Sequence, residues 1–566
     1  MHGKPALEEG FSHFPYTQPN IGHAGTLRLA EIGGFDNFNP FITRGNAAKG
    51  LVDFVFERLT ARNYDEPFSL YGLLAEKLEI PEDRSSVTFW MNPKARFSDG
   101  TRLGVKDVIF TFNLLRKEGR PNHRFYYNKV SHYERIGKHA IRFFFKEKND
   151  RELPLIIGLM VVLPKHYYEN IRFDEVNLRP PLGSGPYIVS SFDVPSRMVL
   201  KQNPEYWGKN LNVNKGRFAF KEIIREYYRD KNTSFEAFKA GKSDIWVGSD
   251  PTRWSEQFGF QAVKERKVLK KKIVTSLPSG LNALVFNTRR DIFKDVRVRK
   301  ALELLFDFEW INKNLYNNSF IRTQSYFDNS PLSSHNVAAN STERKWLKPY
   351  KLEKEILKNG YTAPKTRGDG YNRKARREAL QLLSKAGYKI KKGALINKKT
   401  QQPFSFELLV VNKQDERLAL SYASMLKRAG IEPHIRYVDS SQYQQRLTDF
   451  DFDMIFYRYY ASLSPGNEQL FYWSSDAANT KGSRNYAGIK HKGIDRMIEY
   501  LLAAKNRDEF TDATRALDRL LMSGTYFIPL YYQKHQWLAY WNHIAMPAHH
   551  SLYGIRPDSW WRKEKH

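Results

Sequence analysis

The sequence predicts a mixed α/β protein with more than one core. Strand-like alternation of apolar and polar residues and helix-like amphipathic runs follow each other from end to end, a pattern typical of α/β folds rather than of sandwiches or bundles. The 566 residues are several times the usual length of one domain. Hydrophobic residues make up 41% and aromatic residues 14%, which excludes disorder for the bulk of the chain. Two or three cores are therefore expected.

The first predicted strand, 25–32, runs into Gly33-Gly34 and the polar turn 36–40. Ligands in open α/β sheets lie beyond the carboxyl ends of strands. This turn is therefore a candidate edge of a binding cleft.

The other predicted elements follow from periodicity, from capping residues at helix starts and from glycines at helix ends. They are a strand at 87–91, a helix from Val105 with Asp107 in its first turn, a helix at 235–240 with Ser234 as N-cap, a strand at 282–287, helices at 295–306, 375–386 and 418–429, and a strand at 453–460. The stretch 329–359 is rich in Ser, Asn, Lys and Pro and has poor periodicity, so a long surface excursion is expected there.

Targeting and redox features are sparse. The longest apolar run, 153–163, is shorter than the roughly 18 residues that a bilayer span requires, so a soluble protein is expected. The chain begins Met1-His2-Gly3 with neither a basic nor an apolar leader region, so we expect any export signal to be absent from it. The lack of cysteine excludes disulfides, thiolate nucleophiles and zinc sites built from cysteine, and it suits a periplasmic protein.

The chain carries 91 basic and 61 acidic residues, a net charge of +30. Nucleic acid, an anionic membrane and acidic ligands are the usual partners of such a chain. The densest basic runs, 264–272 and 373–377, lie in no nucleic-acid-binding module. We interpret the charge as a solvated surface and expect no nucleic-acid partner. Contact with the anionic face of the inner membrane, or with an acidic ligand, stays open.

Catalytic patterns are missing. The sequence has no G-x-S-x-G, H-E-x-x-H, P-loop or G-x-G-x-x-G motif. The run 183–186, Gly-Ser-Gly-Pro, is interpreted as a rigid turn, and the alternating acids of 449–453 as the exposed approach to a strand. The 15 histidines are dispersed. We expect no catalysis, no cofactor and no metal site. The alternatives are an exported peptide hydrolase and a basic protein that binds nucleic acid or an anionic surface.

One segment combines aromatic side chains with a positive charge. The predicted strand at 453–460 holds Arg458 among tyrosines, and the helix-breaking run 464–467 follows it. Arginine binds carboxylates through paired hydrogen bonds, and tyrosine offers apolar area with a polar tip. The segment is therefore a candidate ligand site.

Several segments, in this order, resemble the signature segments of the family 5 solute-binding proteins, the oligopeptide and dipeptide receptors of ABC importers. They are 97–108, 203–208 and 295–301 with Asp307. Finer features are similar to the YejA-like branch of that family and lie at 2–16, 151–166, 216–230, 236–241 and 462–468. The resemblance covers nearly the whole chain, from about residue 2 to residue 561.

The resemblance implies a two-lobed periplasmic-binding-protein fold of the cluster C type, with an extra subdomain on lobe I and two hinge crossings near 276–284 and 530–538. The implied parts are an N-terminal extension at 1–25, lobe I at 26–74 and 183–280, the extra subdomain at 75–182, lobe II at 281–534 and a return segment of lobe I at 535–566. The implied function is that of a periplasmic monomer that encloses an oligopeptide and presents it to the permease subunits of an ABC importer. YejA-like receptors are associated with oligopeptides, microcin C-like conjugates and murein-derived peptides.

A receptor for peptides of varied sequence is expected to bind the main chain, because every peptide presents the same donors and acceptors; this is strand addition. The predicted ligand-binding residues fall into three groups: an edge strand, the opposing rim of the first lobe, and three further residues. They are Arg458, Tyr459, Tyr460 and Ser462 for the strand, Phe35, Asp36, Asn37 and Asn39 for the rim, and Trp246, Asn485 and Tyr486.

The resemblance breaks down at one position. In better-known oligopeptide receptors an aspartate after the edge strand holds the amino terminus of the peptide, and Ser462 stands at that position here. Serine cannot neutralise a buried ammonium group. The amino terminus is then held by Asp36, Glu468 or another acid, or it lies near solvent.

Overall fold

The computed structural model describes residues 4–169 and 171–563. Its strands are β1 (Thr26–Ile32), β2 (Thr60–Arg62), β3 (Leu70–Gly72), β4 (Ala75–Glu79), β5 (Ser86–Met91), β6 (Val130–Ile136), β7 (Ala140–Phe145), β8 (Tyr187–Asp193), β9 (Arg197–Gln202), β10 (Glu222–Tyr228), β11 (Ile245–Gly248), β12 (Val268–Val274), β13 (Leu281–Phe286), β14 (Ile321–Arg322), β15 (Tyr388–Lys391), β16 (Ala394–Asn397), β17 (Ser405–Val410), β18 (Glu432–Tyr437), β19 (Met454–Tyr459), β20 (Phe527–Pro529), β21 (Tyr531–Tyr532), β22 (His535–Trp541), β23 (Ile544–Ala545) and β24 (Trp561–Arg562).

Its α-helices are α1 (Leu51–Phe54), α2 (Val105–Glu118), α3 (Pro121–Tyr127), α4 (Leu153–Gly158), α5 (Lys165–Tyr168), α6 (Lys231–Lys239), α7 (Pro251–Glu256), α8 (Gln261–Lys264), α9 (Asp291–Lys294), α10 (Val296–Leu304), α11 (Phe308–Tyr316), α12 (Ser341–Leu347), α13 (Lys354–Asn359), α14 (Arg373–Lys385), α15 (Lys413–Lys427), α16 (Ser440–Asp449), α17 (Glu468–Trp473), α18 (Lys492–Ala503) and α19 (Arg507–Ser523). Helices and strands alternate along the chain, which confirms the mixed α/β prediction. Within the described residues, none of these helices has both the length and the apolar character that crossing a bilayer demands.

The first of two compact units contains the residues up to Ser249, Glu256–Thr275 and the residues from His535 onward. It holds two four-stranded sheets, β1-β10-β9-β8 and β4-β5-β7-β6, and the three-stranded sheet β11-β22-β12. Strand β22 pairs antiparallel with both β11 and β12, so the last part of the chain is built into the middle of a sheet of this unit. Leu27 and Phe89 are fully buried in its core.

The second unit contains Asp250–Ser255 and Ser276–Lys534. Its five-stranded sheet has the order β18-β17-β19-β13-β20. Strand β17 pairs parallel with β18 and β19, whereas β13 pairs antiparallel with β19 and β20. Buried side chains from the sheet, such as Leu284 and Phe406, pack against apolar faces of α10, α11, α14 and α15. This sheet carries the strand on which the candidate site is built.

The predicted strands are confirmed, and the helix ends follow their capping residues. The predicted strands at 25–32, 87–91, 282–287 and 453–460 are β1, β5, β13 and β19, and the helix predicted from Val105 is α2. The prediction of Ser234 as an N-cap is wrong, because Asp230 caps α6 by accepting hydrogen bonds from the amides of Asn232 and Thr233, each at 2.9 Å. Likewise Asn412 caps α15, which therefore begins before the predicted start at 418.

The structure corrects the prediction of a long surface excursion at 329–359. The segment contains two helices, α12 and α13, and buried side chains of α19 bind it to the rest of the unit. Arg519 forms a fully buried ion pair with Glu343 at 2.9 Å and donates to the carbonyl oxygens of Val337 and Ile356 at 2.6 Å. Asp518 accepts from the main-chain amide of Ser334 at 3.1 Å. Ionic contacts of this kind leave no hydrophobic period in the sequence, so the pattern of the segment alone does not reveal them.

The glycines of the 183–186 run allow a close approach of two main chains. A methyl group on Gly183 would lie 2.0 Å from the carbonyl oxygen of Val55, and one on Gly185 would lie 2.6 Å from that of Phe54. The amide of Gly185 donates to the Val55 oxygen at 2.9 Å. The run is thus a packing contact with the end of α1.

Gly183→Ala is expected to destabilise the protein by about 1–3 kcal/mol, because a main-chain atom cannot move aside as a side chain does. Urea-induced unfolding followed by circular dichroism measures the change. The control is Gly259→Ala, since no atom lies within 4 Å of the methyl group that this substitution adds. Equal unfolding midpoints for the two variants would contradict the assigned close approach.

Candidate functional site

The second half of β19 has an open side. Strand β13 pairs with the whole of β19, from Met454 to Tyr459. On the other side, pairing with β17 covers only Met454 and Ile455. From Phe456 onward, no strand of the described chain occupies that side. The edge is therefore free of a pairing strand at the segment that the sequence singles out.

The alternation of the sheet decides which main-chain groups face this open side. The carbonyl oxygen of Asn282 accepts from the amide of Leu530 at 2.8 Å, so the main-chain groups of Asn282 point towards β20. Arg458 lies opposite Asn282 in the ladder, and opposed residues of antiparallel strands point both towards or both away from each other. The N–H and C=O groups of Arg458 therefore face the open side. The oxygen of Phe456 has the same parity and accepts on that side from the hydroxyl of Tyr443 at 2.6 Å.

The Arg458 side chain is exposed and makes no salt bridge within the described part of the chain. Its guanidinium lies 5.4 Å from the ring centre of Tyr460, and its Nη2 is 3.5 Å from the carbonyl oxygen of Ser279. Tyr460 is 67% exposed. The charge of Arg458 is thus not neutralised by any carboxylate of its own unit and can bind one from a ligand.

Tyr459 and Tyr486 lie in an aromatic cluster behind the edge. The ring centres of Tyr459 and Trp473 are 4.4 Å apart, and those of Tyr457 and Tyr486 are 4.5 Å apart. Tyr459 is fully buried, and burial raises the pKa of its hydroxyl well above 10. Both predicted site residues therefore support the strand with their side chains. A ligand contact by either stays a prediction.

Arg484 is a neighbour that sequence reasoning missed. It is exposed, and its Nη1 donates to the hydroxyl of Tyr472 at 3.3 Å. Partial burial lowers the pKa of Arg484, but the phenol groups of Tyr457 and Tyr472 more than offset this effect and raise it overall. The only signal in the sequence is its position beside Asn485 and Tyr486. Arg484 adds a second cation to the region of β19.

Tyr326 holds the main chain where β19 ends. Its buried hydroxyl donates to the carbonyl oxygen of Tyr460 at 2.6 Å. Its own amide donates to the Asp518 carboxylate at 2.8 Å, which also accepts from the Ser325 hydroxyl at 2.7 Å. Helix α19 thereby fixes the position of Tyr460 through Tyr326.

Tyr326→Phe is expected to weaken peptide binding several-fold, because the loss of one hydrogen bond is worth about 0.5–1.5 kcal/mol and leaves the Tyr460 carbonyl unpaired. Isothermal titration calorimetry with a binding peptide measures the change. Tyr500→Phe is the control, since Tyr500 contacts Trp346 and Arg496 rather than β19. An unchanged dissociation constant in Tyr326→Phe would show that the contact does not support the edge.

The loop after β19 uses its polar side chains locally. The Ser462 hydroxyl is exposed and accepts from the Ser464 amide at 3.1 Å. Both carboxylate oxygens of Glu468 accept from the Gly466 amide at 3.0 Å. Glu468 as a partner of the peptide amino terminus and Ser462 as a ligand contact both stay predictions.

The predicted rim of the first unit is a turn whose side chains are mostly used in structural contacts. Asn37 and Asn39 are buried, and their amides donate to the carbonyl oxygens of Arg44 and Phe173 at 3.2 and 2.8 Å. Phe35 is buried in the core. Asp36 is exposed and accepts from the Asn46 amide at 2.6 Å. Of the predicted rim, only Asp36 presents its side chain to solvent.

Trp246 and Asn485 also have structural partners. Trp246 is largely buried against Phe235 and Phe258, with ring centres 5.6 and 5.2 Å away. The Asn485 amide donates to the carbonyl oxygens of Ser474 and Ile489, both at 2.9 Å. The structure does not group these side chains with Arg458, and their role in ligand binding stays a prediction.

A family model described as bacterial extracellular solute-binding proteins, family 5 middle, matches residues 69–481. The chain belongs to this family. The peptidoglycan-binding protein YepA of Agrobacterium fabrum is 41% identical over 99% of this chain and 94% of that protein. The probable peptide-binding protein YejA of the same organism is 36% identical over 98% of this chain and 92% of that protein. The resemblance to the YejA-like branch is thereby confirmed.

The fold comparison agrees with the family. The oligopeptide-binding protein AppA of Bacillus subtilis, solved with a nonapeptide, matches with a TM-score of 0.66 and 21% identity, covering 96% of this chain and all of that chain. The predicted two-lobed periplasmic-binding-protein fold is confirmed. The chain is a family 5 solute-binding protein of the ABC-importer class, and the relatives compared with it are binding proteins rather than enzymes.

Proposed function

We propose that this protein captures oligopeptides in the periplasm and delivers them to the permease of an ABC importer. The peptide adds as a strand to the open edge of β19. Its carboxylate is bound by Arg458. The protein acts as a monomer and carries its ligand unchanged.

The observation that supports this proposal is the open side of β19 from Phe456 onward. The outward main-chain groups of Arg458 match a peptide backbone of any sequence, because strand addition uses only N–H and C=O groups. The unneutralised guanidinium beside them supplies the one charged contact that every free peptide can use. Together they favour a ligand with a main chain and a carboxylate over a neutral sugar.

The peptides that we propose are those released from murein. A relative of 41% identity bears the name of a peptidoglycan-binding protein, and another of 36% identity that of a peptide-binding protein. Murein peptides carry several carboxylates, and Arg458 and Arg484 offer two cations near one strand edge. Microcin C-like conjugates are a further prediction from the family branch and have no specific support in this structure.

The test is to incubate the protein with a digest of murein and with a library of linear peptides. Native mass spectrometry then identifies what binds, and the ligand is released and weighed again. We expect murein peptides to be enriched and returned at their original mass. Cleaved products would support the alternative of an exported hydrolase, and the absence of any bound peptide would overturn the proposal.

A further inference from the structure

A cavity of about 660 Å³ lies in the first unit. Its walls are formed by residues of the segment 12–23, by Pro186 and by residues of the segment 202–218, which begins at the last residue of β9. All of these residues belong to the first unit, whereas β19 belongs to the second. The volume lies within the range of about 300–1,000 Å³ that is usual for small-molecule sites. The cavity therefore has the size of a binding site and is separate from the proposed peptide edge.

The lining of the cavity is positive. It contains Lys209, Lys215 and Arg217 together with His13 and His23, and no aspartate or glutamate. Both lysines are exposed, and no salt bridge within the described residues involves either of them. Burial lowers the pKa of His23, so this imidazole is neutral at pH 7. Two uncompensated ammonium groups on one cavity attract an anion.

Beneath the lysines, the floor of the cavity is polar and already hydrogen-bonded. The Asn214 amide donates to the Tyr206 hydroxyl at 2.8 Å, and both residues are buried. The guanidinium of Arg217 is paired with Asp558 at 2.9 Å, so its charge is already offset. These contacts fix the shape of the floor before a ligand arrives.

A buried carboxylate lies next to the floor of the cavity. Glu57 accepts hydrogen bonds from the Tyr206 hydroxyl and from the indole of Trp207. Burial raises the pKa of Glu57 to about 7, although these hydrogen bonds lower it. Burial thus favours the protonated form of this group, which offsets the charges of Lys209 and Lys215 less than a fully ionised carboxylate would.

Neutral polar and apolar groups complete the lining. Asn20 and Asn210 contribute amides, while Pro19, Pro186 and Phe218 contribute apolar surface. Amides pair with hydroxyl or amide groups, and apolar surface packs against a ring or a short aliphatic chain. A simple inorganic anion would leave these groups in contact with water, whereas an organic anion can contact them as well.

We propose that this cavity is a second binding site, independent of the peptide edge, for a small ligand that joins a carboxylate or phosphate to neutral polar groups. Lys209 and Lys215 bind the anion, and the asparagine amides bind the hydroxyl or amide groups beside it. Sugar acids, sugar phosphates and acidic dipeptides share this chemistry.

Isothermal titration calorimetry at low ionic strength tests the proposal with glucuronate, glucose 6-phosphate, glutamyl-alanine and inorganic phosphate, and with glucose as the neutral control. We expect at least one organic anion to bind, glucose not to bind, and inorganic phosphate to bind more weakly than that anion. The organic anion that binds most tightly shows whether the site prefers a carboxylate or a phosphate. In the variant Lys209→Ala/Lys215→Ala we expect the dissociation constant to rise at least about tenfold, since two charge contacts are lost.

The matched control is Lys94→Ala/Lys138→Ala, which removes two exposed lysines of the same unit that do not line the cavity. This control and Arg458→Ala are expected to bind the anion as the unaltered protein does. Equal affinity in the Lys209/Lys215 variant, loss of anion binding in Arg458→Ala, or no heat with any organic anion would each overturn the second site. Peptide binding is measured separately in every variant, so failure of this site leaves the proposed function untouched.

Discussion

Replacing Arg458 with alanine is expected to weaken the binding of a peptide with a free carboxyl terminus by about 2–5 kcal/mol, because the ligand carboxylate that we propose it binds would lose its charged partner. The exposed guanidinium has no carboxylate partner within the described residues of its own unit, so its removal should cost affinity and little stability. Isothermal titration calorimetry measures the loss. Arg496→Ala is the control, since Arg496 is an exposed arginine on α18 that pairs with Glu499 at 2.7 Å.

A peptide with an amidated carboxyl terminus sharpens this test. If Arg458 binds the carboxylate, amidation weakens binding to the unaltered protein and changes little in Arg458→Ala. If amidation weakens binding equally in both proteins, the carboxylate is bound elsewhere. Arg484→Ala, tested with the same two peptides, then shows whether the second arginine near β19 takes that role.

Arg519→Met is expected to destabilise the second unit by about 3–5 kcal/mol, because it leaves Glu343 as an unpaired buried charge. Both side chains of this pair are completely buried. The unfolding midpoint in urea, followed by tryptophan fluorescence, measures the effect. Arg297→Met breaks the exposed pair with Asp295 and should shift the midpoint far less.

The double variant Arg519→Met/Glu343→Gln separates the charge from the packing. It removes both charges, so we expect it to recover a substantial part of the stability that the single variant loses. A single variant that unfolds at the same urea concentration as the unaltered protein would show that the ion pair does not anchor the 329–359 segment.

Periodicity revealed the elements that bury one regular face. The apolar alternation around Phe456 predicts β19, and the apolar face of 418–429 predicts most of α15, because burial on a sheet or helix imposes its own repeat on the sequence. The ends of the helices were less predictable. Asp230 rather than Ser234 starts α6, since several residues near a helix start are able to cap it.

The supports of the candidate site could not be read from sequence. Tyr326 reaches Tyr460 across 134 positions, and Asp518 reaches Ser325 across 193. A tyrosine or an aspartate in isolation carries no sign of a partner so far along the chain. Sequence reasoning therefore identified the strand but not the residues that hold it, and the ligand contacts predicted for Asn37 and Asn485 stay predictions.

The Tyr443 hydroxyl donates a hydrogen bond to the Phe456 oxygen. This bond limits where a peptide can pair with β19. The Phe456 oxygen is therefore already paired on the open side, and we expect an added strand to begin beside Arg458. Short and long peptides would then share one fixed end, and the additional residues of a longer peptide would extend beyond the other end. Selection by overall length would depend on the space at that free end and not on the pairing itself.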